Sequence, residues 1–112
     1  MATEILSAAH SSTLHAHSAA TTAKGFYVIN GRVLMALHTK DADEDNVFVY
    51  EAPMLRAPKN AGEAWATGEA IYWDATAENF TTTDTNNTLA GMVNEDALSA
   101  DVEGIIHLTP FA

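Results

Sequence analysis

Between Phe26 and Leu37 the chain reads Phe-Tyr-Val-Ile-Asn-Gly-Arg-Val-Leu-Met-Ala-Leu, two β-favouring runs separated by a single Asn-Gly dipeptide. Asn30 and Gly31 accept the positive φ angles of a type I′ turn, whose twist matches that of the strands it joins, so the segment is constrained to a two-residue β-hairpin. The loop length sets the register. Val28 opposes Val33 and Phe26 opposes Met35 on one face, while Tyr27 opposes Leu34 on the other. Both faces are then apolar, which puts the hairpin in the middle of the fold or against a partner.

The rest of the chain continues in short strands. Val47-Phe48-Val49-Tyr50-Glu51 reads as a strand that ends where Pro53 and Pro58 remove backbone donors. Ala70–Trp73, Phe80–Thr83, Leu89–Val93 and Glu103–Thr109 are further strands, separated by turn-rich segments. One helical turn fits around Glu63-Ala64-Trp65 and another at Glu95–Leu98. No long amphipathic helix is present in the pattern, which points to an all-β fold, a small antiparallel barrel or sandwich with at most one or two short helical turns. A length of 112 residues suits one core, since two would each be too small to stand alone. Residues 1–20, rich in Ala, Ser, Thr and His, read as an extended N-terminal arm and residues 21–112 as a single β domain. Within the arm Ile5 and Leu6 form an apolar pair stranded in polar sequence.

Charge narrows the partners. Asp plus Glu number 15 against 5 Lys plus Arg, a formal charge of -10, and Lys24, Arg32, Lys40, Arg56 and Lys59 are spread singly. Phosphate would be repelled along most of such a surface, so neither nucleic acid nor an anionic membrane is an expected partner. The N-terminal stretch lacks the basic start and apolar run of a signal peptide, which predicts a soluble, unexported chain. With 0 cysteines, disulfides, thiolate metal sites and cysteine nucleophiles are excluded.

Three histidines, His10, His15 and His17, fall close together, and on a strand His15 and His17 project to one side, a usable metal-ligand spacing. The alternative function that follows is a small, cupin-like metal- or ligand-binding β-barrel. The glycine before a cupin His-x-His and the glutamate after it are both missing here, where Ala9 precedes and Ala20, Thr21 and Thr22 follow. No metal or other cofactor is therefore expected. Asp41, Asp43 and Asp45 alternate like the opening of a calcium loop, but Ala52 stands where the bidentate glutamate belongs, and an acidic turn between strands is the plainer reading. Glu69 after Gly68 is an anion where a phosphate-binding loop needs a cation, and no serine sits in a nucleophile setting. His38 and His107 lie in strand patterns. Ile71 and Trp73 share a strand face and belong to the core, leaving Tyr72 outward or at an oligomer contact. No catalytic constellation emerges, so the chain is expected not to be an enzyme.

The stretch Gly62-Glu-Ala-Trp-Ala-Thr-Gly-Glu-Ala-Ile-Tyr-Trp-Asp74, preceded by Pro58-Lys59 and followed by Asn87-Thr-Leu-Ala-Gly91, resembles the signature of a family of small tailed-phage capsid cement, or decoration, proteins. That family was long catalogued as a domain of unknown function and sometimes labelled recombinase-like. The resemblance runs from about Thr22 to Leu108, and the acidic Asp41–Asn46 loop departs from the family's usual small, glycine-containing turn. The recombinase label finds no phosphate loop here and no room for such an ATPase. What the resemblance implies is an all-β structural protein of the virion, bound to the major capsid protein on the outside of the head as a homo-trimer. It would be made in the host cytoplasm and would stabilise the shell. Ile5, Leu6, Tyr27, Leu34 and Tyr72 are the expected capsid or inter-subunit contacts, with the arm ordering on binding.

Overall fold

The computed structural model describes residues 3–7 and 10–109. It contains nine strands: β1 (Glu4–Ile5), β2 (Ser11–Ala16), β3 (Phe26–Ile29), β4 (Arg32–Ala36), β5 (Asp45–Pro58), β6 (Ala70–Asp74), β7 (Asn79–Thr81), β8 (Thr88–Val93) and β9 (Glu103–Leu108). Strands and isolated bridges together account for 53% of the described residues, and the antiparallel sheet curls into a half-barrel. The order across the sheet is β3-β4-β5-β9-β8-β6-β7, with β1 and β2 also paired to β5.

The hairpin forms as its sequence dictates. Phe26 pairs with Met35, Tyr27 with Leu34 and Val28 with Val33. Asn30 and Gly31 take φ angles of 52° and 77°, the left-handed pair that a type I′ turn needs. Its two apolar faces enter two different clusters. Phe26, Val33 and Met35 join the main core with Val49, Leu55, Ile71, Phe80, Ile106 and Leu108. Ile29, Leu34 and Ala36 join Phe48 in a second, smaller cluster edged by Tyr27 and Tyr50. Inside the main core the Phe26 and Phe80 rings meet edge to face at 4.8 Å, and Trp73 lies 4.9 Å from Phe80. Such contacts add to the roughly 1.5–3 kcal/mol that full burial of each large apolar side chain contributes.

β5 is the spine, and it runs past the point where a strand end is predicted. Its first half pairs with β2 and β4 and its second half with β1 and β9. The ladder to β9 shifts register between Ala52 and Leu55, which brackets Pro53. A bulge is where a proline costs no ladder bond, so the chain bends there instead of stopping. The carbonyl of Pro53 accepts a bond from the Asn94 side-chain amide at 2.7 Å. Thr21 and Asn46, both buried, tie the strand's start, with Asn46 donating to Thr21 Oγ1 at 2.8 Å and to the His38 carbonyl at 2.6 Å.

Neither expected helical turn forms. Trp65 and Ala97 make an isolated antiparallel bridge, exchanging N–H···O bonds of 2.9 and 3.0 Å. Each segment therefore uses on the other the backbone groups a helical turn would need internally. β7 is also shorter than predicted, because the Thr82 N–H leaves the ladder to donate to Glu63 Oε1 at 2.8 Å.

Candidate functional site

The Gly62–Asp74 stretch builds a clamp around one carboxylate. Glu63 accepts four hydrogen bonds: from Trp65 Nε1 at 3.0 Å, Thr82 N at 2.8 Å, Thr81 Oγ1 at 2.9 Å and Asn60 Nδ2 at 3.2 Å. Burial pushes its pKa up, but the bonds from Trp65, Thr82, Thr81 and Asn60 outweigh that and hold it below the ordinary value. A carboxylate held ionised by four donors is a structural anchor, poorly suited to proton transfer.

Beside it, Lys59 is only 2% exposed. Its ammonium donates to the carbonyls of Asn60 at 3.0 Å and Asp101 at 3.2 Å and lies 5.5 Å from the Trp65 ring centroid. Asp96 Oδ1 accepts from the N–H and hydroxyl of Thr67 at 2.8 and 2.9 Å, which lowers the Asp96 pKa. Glu69 caps the turn before β6 through the Ala66 N–H at 2.7 Å. These residues bind the 60–69 loop, the end of β7 and the 94–102 loop into one piece. The chemistry of the most distinctive sequence in the chain is thus that of a fastener.

The five expected contact residues do not share one surface: Tyr27 and Leu34 pair across the β3–β4 hairpin, Ile5 and Leu6 lie on and beside β1, and Tyr72 is on β6. Ile5 is half-buried against the main core, and Leu6 is tied down by its N–H donating to the Met54 carbonyl at 2.7 Å. Two pieces of the arm, Glu4–Ile5 and Ser11–Ala16, are already strand paired to β5 in this chain. Tyr27 is half-buried, its hydroxyl accepting the Thr22 N–H at 2.8 Å. Leu34 is a correction: at 1% exposure it is a centre of the second cluster, packed with Ile29, Ala36 and Phe48, and offers no surface to a partner. Tyr72 stands half-buried on β6 beside the exposed Leu89, with Met92 further along β8. Sequence reasoning passed over Leu14, Leu98 and Val102, which are 65%, 74% and 54% exposed. The signal for the last two was two aliphatic residues within and beside an acidic turn, Asp96-Ala-Leu-Ser-Ala-Asp101.

His15 and His17 serve packing. His10 is exposed, while the His15 and His17 rings lie 5.9 and 6.4 Å from Phe48, with His17 also 5.4 Å from Tyr27. They roof the second cluster. Among the described residues no three His, Asp or Glu side chains are grouped to hold a metal ion. The Asp41–Asp45 loop closes on itself, Asp41 N donating to Glu44 Oε1 at 2.9 Å. His107 Nε2 meets Glu51 across β5 and β9 at 3.3 Å.

A family model described as phage cement protein matches residues 6–108, from the end of β1 to the end of β9. The chain belongs to the phage cement protein family. No curated protein and no solved structure shows a significant match. As a cement protein the chain has a structural role in the phage head and associates with the capsid. The family is a structural one, in keeping with a clamp whose charged groups are spent on internal bonds.

Proposed function

We propose that this cement protein attaches to the outer surface of the capsid lattice, bound to the major capsid protein as a homo-trimer, and stabilises the shell against internal pressure without catalysing a reaction. The family match across residues 6–108 carries the reading. Physical support comes from the charge of -10, which keeps free copies soluble in the host cytoplasm and away from DNA during assembly. Modest contacts per subunit suffice when copies are linked, because each further contact is made at high effective concentration. Residues 21–112 supply the β domain and residues 1–20 the arm. Ile5, Leu6, Tyr27 and Tyr72 serve as capsid or inter-subunit contacts, the arm exchanging its pairing on β5 for a strand of the capsid or of a neighbouring copy.

Quantitative mass spectrometry of purified particles tests this, comparing copies of this chain with copies of the major capsid protein. A ratio near unity, with loss of particle stability to heat when the chain is removed, is the expected result. Absence from particles would overturn it.

A further inference from the structure

Leu98 and Val102, the one 74% and the other 54% exposed, stand at the two ends of one tight turn in the β8–β9 connection. The turn is closed by Asp101 N donating to the Leu98 carbonyl at 3.0 Å. A lone exposed aliphatic residue carries no message, but Leu98 and Val102 are two exposed aliphatic residues four positions apart on one short turn. The turn is also rigidly held. Leu98 N donates to Asp101 Oδ2 at 3.0 Å, Gly62 N to the Ser99 carbonyl at 2.7 Å and Lys59 N to the Val102 carbonyl at 2.8 Å. The buried Lys59 ammonium holds the Asp101 carbonyl from below at 3.2 Å. A turn fixed in this way loses little backbone freedom on association. Alongside lies a groove of about 240 Å³ lined by Glu95, Asp96, Asp101 and Glu103, with Arg56 as its one cation. Arg56 is itself paired with Glu4.

We propose that the Leu98–Val102 turn is the docking knob of this chain, seated in an apolar recess of the capsid shell whose rim carries Lys or Arg. The inference rests on the capsid-attachment reading above. Leu98 and Val102 supply the desolvated centre, and the negative charge of the groove attracts the basic rim over a distance, with Glu95 as the carboxylate that meets it while Asp96 and Asp101 keep their bonds to Thr67 and Leu98. A second copy of the chain is the poorer occupant at this turn, since it would set the same acidic groove against itself, and the homo-trimer is left to other surfaces. This also accounts for the signature: Glu63, Trp65 and Lys59 are the base on which the knob is mounted.

The test mixes wild-type protein and a Leu98→Ser/Val102→Ser variant with particles lacking this protein and measures co-sedimentation, with melting curves and oligomeric state recorded for both. The expected result is an unchanged melting temperature and oligomeric state with binding weakened about tenfold or more. Glu95→Gln should reduce the loss of binding caused by added salt. Wild-type binding matched by the double variant overturns the knob and leaves capsid attachment standing. Failure of the wild type to bind overturns both. A changed oligomeric state with unchanged particle affinity assigns the turn to a second copy and overturns the proposal.

Discussion

The Trp65 indole lies so close to Gly104 on β9 that a Cβ added there would stand 2.4 Å from Trp65 Cζ3. Trp65 cannot easily retreat, because Glu63 holds its N–H and Ala97 holds its backbone. Gly104→Ala is therefore expected to cost about 1–3 kcal/mol. At Gly91 the obstacle is the His107 carbonyl oxygen, 1.9 Å from an added Cβ, which is backbone of the paired strand. Gly91→Ala should cost more, about 3 kcal/mol or above. Urea denaturation of the two variants checks the ranking.

Glu63 makes stability depend on acid. Its folded pKa lies below the ordinary value of 4.5, so its contribution is fully present above that value and is lost as pH falls through the lower folded pKa. Glu63→Gln should cost about 2 kcal/mol at neutral pH, by removing the charge its donors face. Melting temperatures measured from neutral pH downward should converge for wild type and variant once Glu63 is protonated. A constant gap at all pH values would show that the carboxylate is not the source.

Gly31 holds a φ of 77° with open space around it, so an added methyl strains the backbone without meeting a neighbour. Gly31→Ala should cost about 1 kcal/mol and leave the hairpin register intact. Thermal denaturation gives the loss, and unchanged circular dichroism the retained fold.

Ile5 packs on the main core from β1. Ile5→Ala is expected to lower stability by about 1–2 kcal/mol, less than a fully buried isoleucine would lose. Deleting residues 2–12 should then lower both melting temperature and capsid occupancy. Occupancy unchanged after the deletion would remove the arm from the attachment mechanism.

The acidic loop is held by backbone bonds, with Glu44 N donating to the Asp41 carbonyl at 3.2 Å within it and Asp43 N to the His17 carbonyl at 2.7 Å beside β2. Melting temperatures in millimolar calcium and in chelator are expected to coincide. A rise of several degrees in calcium would show that Asp41, Asp43 and Asp45 close on a cation when one is offered.

Local chemistry made much of this fold readable from sequence alone. Asn30-Gly31 determined a hairpin and its register, because turn type and loop length leave no alternative pairing that keeps both strands in step. The β-branched and aromatic runs marked β6, β8 and β9 closely and only the first part of β5, and Ile71 and Trp73 declared the buried face of β6 by their alternation. What depended on distant partners was not legible. The strand continues past Pro53 because a bulge opposite β9 needs no donor there. The Glu63–Trp65 and Glu95–Leu98 segments remain extended because each satisfies the other's backbone across the bridge from Trp65 to Ala97. Leu34 is interior and Leu98 is exposed for a similar reason: burial is a property of what the rest of the chain lays over a side chain. Sequence sets the conformations each segment can adopt, and only the assembled sheet decides which of them find a partner.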